Sequence, residues 1–131
     1  MEKESLKVLE YDKIREMLEE RAGSILGKEK ARMLLPDSDF SEVEQRMAET
    51  EEAVRVYAAA APPLGGIRDI RPILKKVGMG AVLDTDEIVD VMNTMYAMRN
   101  VKRFFKELEL DVATLKQWAH SIEILGQLVE L

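Results

Sequence analysis

The chain has 131 residues, a formal net charge of −6, 47% hydrophobic and 34% charged residues, and no cysteine. That balance suits one folded domain with a real core and excludes a disordered or membrane-embedded chain. Without thiols there is no disulfide, thiolate nucleophile or zinc–thiolate centre, which fits the cytoplasm, and the acid surplus means that any nucleic-acid contact needs a local basic patch.

Met1 to Ser5 lead straight into amphipathic sequence, so no signal peptide is expected, and no apolar run approaches the ~20 residues that span a bilayer. Tyr11, Ile14, Leu18, Ala22 and Ile25 recur every three or four residues, the spacing of one helix face. Gly23-Ser24 divides that run. Ser24 is placed to cap a second helix that stops before Pro36, and its Gly27 and Ala31 would let a neighbour approach closely. Asp37-Ser38-Asp39 reads as a turn, and Ser41 with Glu44 has the spacing of a capping box. Behind it Val43, Met47, Thr50, Val54 and Tyr57 form a narrow seam, flanked by Glu42–Arg46 and Glu51–Arg55 pairs in the favourable order.

Pro62-Pro63 forbid continuation of this helix, and Pro62-Pro63-Leu64-Gly65-Gly66 is the one pronounced break in the chain. Asp69 is placed to cap a short helix that has Arg71-Pro72 at its start and ends at Gly78 and Gly80. Asp84 with Glu87 marks the start of a long helix whose seam is Ile88, Val91, Met95, Met98, Lys102 and Phe105. Asp111 opens a last helix with Leu115, Trp118, Ile122, Leu125 and Val129 inward, and the chain then stops at Leu131 without a terminating signal, as a cut inside a longer polypeptide would. Only Met79 to Leu83 offers a strand, weakened by its glycines. The expectation is an all-α, antiparallel bundle of about five to six helices, over roughly 5–22, 24–35, 40–60, 70–77, 85–107 and 111–131.

Few residues point to chemistry. His120 is the only histidine and lacks a neighbour in sequence that would orient it as a general base, so it reads as a helix-surface position. The acidic run from Asp39 to Glu52 flanks one helix seam and reads as a solvated face. Leu64-Gly65-Gly66-Ile67-Arg68 lacks the longer glycine frame and terminal Lys-Ser/Thr of a P-loop. Two basic clusters remain as candidate nucleic-acid or partner contacts: Arg68, Arg71, Lys75 and Lys76 around the glycine loop, and Arg99, Lys102, Arg103 and Lys106 beside Phe104 and Phe105. Met92, Met95 and Met98 add an adaptable apolar face. No catalytic, cofactor-binding or metal-binding residue is assigned.

The order of segments resembles a known family. Leu6-Lys7-Val8-Leu9-Glu10-Tyr11-Asp12-Lys13-Ile14 is similar to the opening of the second type of bacterial MutS protein, and Gly27-Lys28-Glu29 with Leu34-Leu35-Pro36 matches its second helix. The most specific stretch runs from Pro62 to Pro72 and on through Leu74-Lys75-Lys76, with Gly80, Val82-Leu83 and Glu87-Ile88 following in register. The resemblance implies that the chain is the N-terminal part of a helical core/lever domain. The whole protein would be a homodimeric ATPase and endonuclease, with ATP and Mg²⁺ held in a domain beyond this segment. Its targets would be branched DNA, in suppression of homologous recombination, and collided ribosomes. No catalytic residue transfers to this chain. The alternative is a self-contained helical dimerisation or docking module with no nucleic-acid role.

Overall fold

A computed structural model describes residues 3–124. Among them the fold is all-α, with seven helices and no strand: α1 (Lys3–Val8), α2 (Tyr11–Arg21), α3 (Ile25–Arg32), α4 (Phe40–Ala59), α5 (Arg71–Gly78), α6 (Thr85–Glu107) and α7 (Ala113–His120). The chain divides into two compact units, Met1–Glu51 and Glu52–Leu131, with the boundary inside α4.

In the first unit, the helix expected over 5–22 is split. Glu10 adopts a left-handed backbone, φ 52°, which no helix interior accepts, so α1 ends at Val8 and α2 starts afresh at Tyr11. The Ser24 hydroxyl accepts the Gly27 N–H at 3.0 Å and caps α3. α3 stops at Arg32, short of the expected 35, and packs back on α2 with Ala31 buried at the contact. Arg15 donates to the Arg32 carbonyl (3.0 Å), and Arg32 pairs with Glu19 (2.5 Å), so polar side chains close the hairpin. At the start of α4 the capping group is Asp39 rather than Ser41: its carboxylate accepts the N–H groups of Ser41 (2.9 Å) and Glu42 (3.2 Å). The helix therefore starts at Phe40, where the expected 40–60 span begins, although a different residue caps it.

The second unit holds most of the buried residues: Val56 of α4, Ile73 of α5, Thr94, Ala97 and Val101 of α6, Val112, and Ala119 of α7. These are not the expected seams. On α4, Val54 and Tyr57 are exposed and Val56 is the buried residue, and on α7 Trp118 is half-exposed while Ala119 is buried. On α6 the buried face is 94–97–101, offset from the predicted stripe. The physical reason is size, since small side chains take the positions where helices approach most closely and large ones flank them. α6 opens with a complete capping box, Asp84 and Glu87 each accepting the other's backbone N–H at 2.9 Å. α7 begins at Ala113, not Asp111, and ends at His120, with 121–124 outside any helix; Leu125, Val129 and the rest of the expected 111–131 span lie outside the described residues.

Candidate functional site

The glycine loop is a docking element. Gly66, at φ +87°, lies against α6, where a Cβ would meet the Ala97 side chain at 3.6 Å and the Asn93 carbonyl at 3.9 Å. Two residues on, the Arg68 N–H donates to the buried Thr94 hydroxyl (3.0 Å), which itself donates to the Asp90 carbonyl (2.9 Å). The loop is thus pinned to one turn of α6 from two directions. It does not fit the phosphates of ATP with Mg²⁺, because its left-handed glycine is committed to helix contact and no Lys-Ser/Thr pair closes it.

The first basic cluster is largely engaged within the fold. Arg71 grips Asp69 through Nε and a terminal nitrogen, both at 2.8 Å, and Asp69 also accepts the Arg71 backbone N–H (3.1 Å). This side-chain grip holds the Asp69 carboxyl below its ordinary value against a smaller opposing effect of burial. Lys76 reaches Glu87 at 2.6 Å, which ties α5 to the first turn of α6, and the Glu87 carboxyl is depressed first by Lys76 and then by the Asp84 N–H. Arg68 is a long 3.9 Å from Asp90. Lys75 is exposed, with no ion pair to a described residue.

The second cluster spreads around α6. Arg99 and Lys106 are exposed, and Arg103 donates to Asn100 at 3.2 Å. Lys102 donates from Nζ to the carbonyls of His120 (3.1 Å), the last residue of α7, where a helix leaves its acceptors unmatched, and of Ile122 (2.6 Å) just beyond it. At the other end of α7 the Glu52 carboxylate accepts the N–H groups of Thr114 (3.2 Å) and Leu115 (2.9 Å). Burial pushes the Glu52 carboxyl upward, but the Leu115 and Thr114 N–H donors, the Thr114 side chain and the charge of Arg55 together outweigh it, and its pKa falls below the ordinary 4.5. Arg55 also donates to the Asp111 carbonyl. An anion therefore sits at the positive end of α7 and a cation at the negative end, both supplied by neighbouring helices.

Two concavities flank α7. One, of about 410 Å³, is apolar, with Val56, Tyr57, Leu64, Val101, Leu115 and Trp118 among its walls. The other, of about 460 Å³, lies between α6 and α7 and gathers Lys102, Lys106, Lys116 and His120 over Phe105 and two alanines. Sequence reasoning marked Lys102 and Lys106 and missed Glu52 and Lys116, whose neighbours come from other helices. Among the described residues no group of three or more His, Asp or Glu side chains gathers to hold a metal, and no helix is long and apolar enough to cross a membrane.

Fold and polar network together define an all-helical segment in which Arg32, Glu52, Arg55, Lys76 and Lys102 fasten one helix to the next. Over 105 residues, 79% of its length, the chain is 42% identical to proteins named Endonuclease MutS2 from Bacillus thuringiensis (strain Al Hakam), Bacillus cereus (strain B4264) and Bacillus anthracis, and it belongs to a MutS2-like family. The matched stretch is 13% of the length of those curated relatives, so the chain spans a small part of them. No family model matches it.

Proposed function

We propose that this chain serves as a non-catalytic core/lever segment of a MutS2-type protein. In such a protein it would pass nucleotide-dependent movement of an ATPase domain to a clamp on the target. Coupling of this kind needs elements that move as units rather than deform. The observation that carries the reading is the double fastening of α7, by Glu52 of α4 at its start and Lys102 of α6 at its end. The relatives' name supports endonuclease action by the whole protein; this reading further assigns that protein DNA as substrate, a homodimeric state, and ATP with Mg²⁺ held elsewhere in its chain. Branched DNA in suppression of recombination, and collided ribosomes, are the targets this reading assigns to that assembly. The purified chain is expected neither to turn over ATP nor to cut branched DNA. Turnover that co-purifies with the chain and responds to substitutions in it would overturn the non-catalytic role.

The apolar groove beside α7 favours a second reading, a docking or dimerisation module. Tyr57 and Trp118 stand 59% and 51% exposed at its edge, large apolar area for a chain to leave in water. Sedimentation separates the two readings: a tight symmetric dimer that Trp118→Ala dissolves supports the module, and a monomer at all accessible concentrations removes it.

A further inference from the structure

On an acidic chain, two stretches carry cations with no acid among them. Residues 91–106 contain no Asp or Glu and carry Arg99, Lys102, Arg103 and Lys106; residues 113–122 contain none either and carry Lys116 and His120. Lys102, Phe105 and Lys106 recur at the three- and four-residue spacing of one α6 face, and Ala113, Lys116, Gln117 and His120 do the same on α7. These two faces are the walls of the 460 Å³ groove, and no carboxylate lines it among the described residues. Its floor is apolar, from Phe105, Ala113 and the buried Ala119.

A solvated lysine face on a single helix is the ordinary outcome, because long cations extend separately into water. Here cations on two helices face one concavity, and one of them has a fixed position: the Lys102 ammonium is anchored by the carbonyls of His120, the last residue of α7, and of Ile122 just beyond it. Lys106 and Lys116 have no ion pair with a described residue, so their charge is available to a ligand. Mutual repulsion among like charges is relieved by an anion between them.

We propose that the α6–α7 groove binds a phosphate group, held by Lys106, Lys116 and His120 and oriented by the anchored Lys102, while an adjoining apolar part of the ligand rests on Phe105. This chemistry suits either a small phosphorylated metabolite or the phosphates of a nucleic-acid strand, and it does not rest on the lever reading. The groove contains its own reporter, since His120 is the only histidine and its ring proton resonances are unambiguous.

The full chain is titrated at fixed pH with pyrophosphate and, separately, with a short oligothymidylate, and the His120 ring signals are followed by NMR. Saturable shifts are expected, weakened at least roughly tenfold in Lys106→Gln/Lys116→Gln, since each charge-assisted contact is lost. Lys28→Gln, an exposed cation outside the groove, is expected to leave the titration unchanged. Saturation by pyrophosphate but not the strand assigns a small ligand; saturation by the strand but not pyrophosphate assigns a polymer; saturation by both places phosphate recognition in the groove whichever molecule carries it. Circular dichroism of the double variant shows whether its fold is kept; should it fail, Lys106→Gln alone takes its place. Unshifted His120 signals, or shifts equally strong in the groove variant, would overturn the site.

Discussion

Residues 3–51 and 52–124 have similar helix content and are held by different means. In the first stretch Ala31 is the one described residue in the core, and side-chain ion pairs at the surface, Arg32–Glu19 and Arg46–Asp37, carry much of the organisation. In the second, Val56 and Val112 are essentially sealed at 1% and 0% exposure, and polar groups such as Thr94 and Glu52 fasten backbone to backbone. Burial of a branched side chain contributes roughly 1.5–3 kcal/mol, whereas an exposed ion pair contributes about 0–1. Helical sequence alone thus does not equalise the two regions. What distinguishes them is whether distant segments meet.

The harshest way to break the contrast is a charge in the sealed core. Val56→Asp places a carboxylate where Val101 and Ala119 are neighbours in an apolar setting, and should cost more than about 3 kcal/mol. Urea denaturation followed by circular dichroism should then show residues 52–124 largely unfolded. A midpoint like that of the parent chain would mean that Val56 is not a core position.

How much of this was legible follows from the range of each interaction. Ser24 and the Asp84–Glu87 box are contacts three residues apart, so residue type and spacing announce them. The Glu52 cap on α7 joins residues 62 and 63 apart, and no periodicity reports such a pairing, which is why the start of α7 was assigned to Asp111. The same holds for the site: the clusters of Arg68 and Lys102 were visible as runs of charge, but Asp69 and Glu87 neutralise part of one cluster, and the α7 face completes a groove with the other. Periodicity located the helices and misassigned the buried face by one or two positions. It detects apolar stripes, and the tightest contacts here are made by alanine, valine and threonine.

The next largest effect should come from the glycine loop. Gly66→Ala forces a Cβ onto a left-handed backbone, costing about 1–2 kcal/mol, while the 3.6 Å approach to Ala97 is an ordinary contact that adds little. The loss should appear in thermal melts, and faster hydrogen exchange at the Arg68 amide would locate it. A neutral substitution would show that the loop is not held in this conformation.

Glu52→Gln keeps the shape of the α7 cap and removes its charge, with an expected cost of about 1 kcal/mol. The folded-state pKa of Glu52 is depressed, so its contribution is fully present above the unfolded value near 4.5 and is lost as pH falls through the lower folded value. Parent and variant should therefore differ in urea midpoint at neutral pH and converge in acid. A difference that persists unchanged below that window would assign the effect to packing rather than charge.

The smallest effect should be Glu19→Gln in the first region. Glu19 and Arg32 are close at 2.5 Å, and this contact with Arg32, against a lesser push from burial, is what lowers the Glu19 pKa. Yet the Arg32 side chain is 62% exposed, and water screens what geometry offers. The sign is the same as for Glu52, a contribution present above 4.5 and lost in acid, so the pH profile alone does not separate them. Salt does. Raising ionic strength should erase the Glu19 difference, because a pair open to solvent is screened by mobile ions, and should leave more of the Glu52 difference, whose partners are backbone dipoles on a part-buried helix end. If Glu19→Gln proves as damaging as Glu52→Gln and as resistant to salt, then the first region is held by more than its surface pairs, and the contrast with residues 52–124 fails.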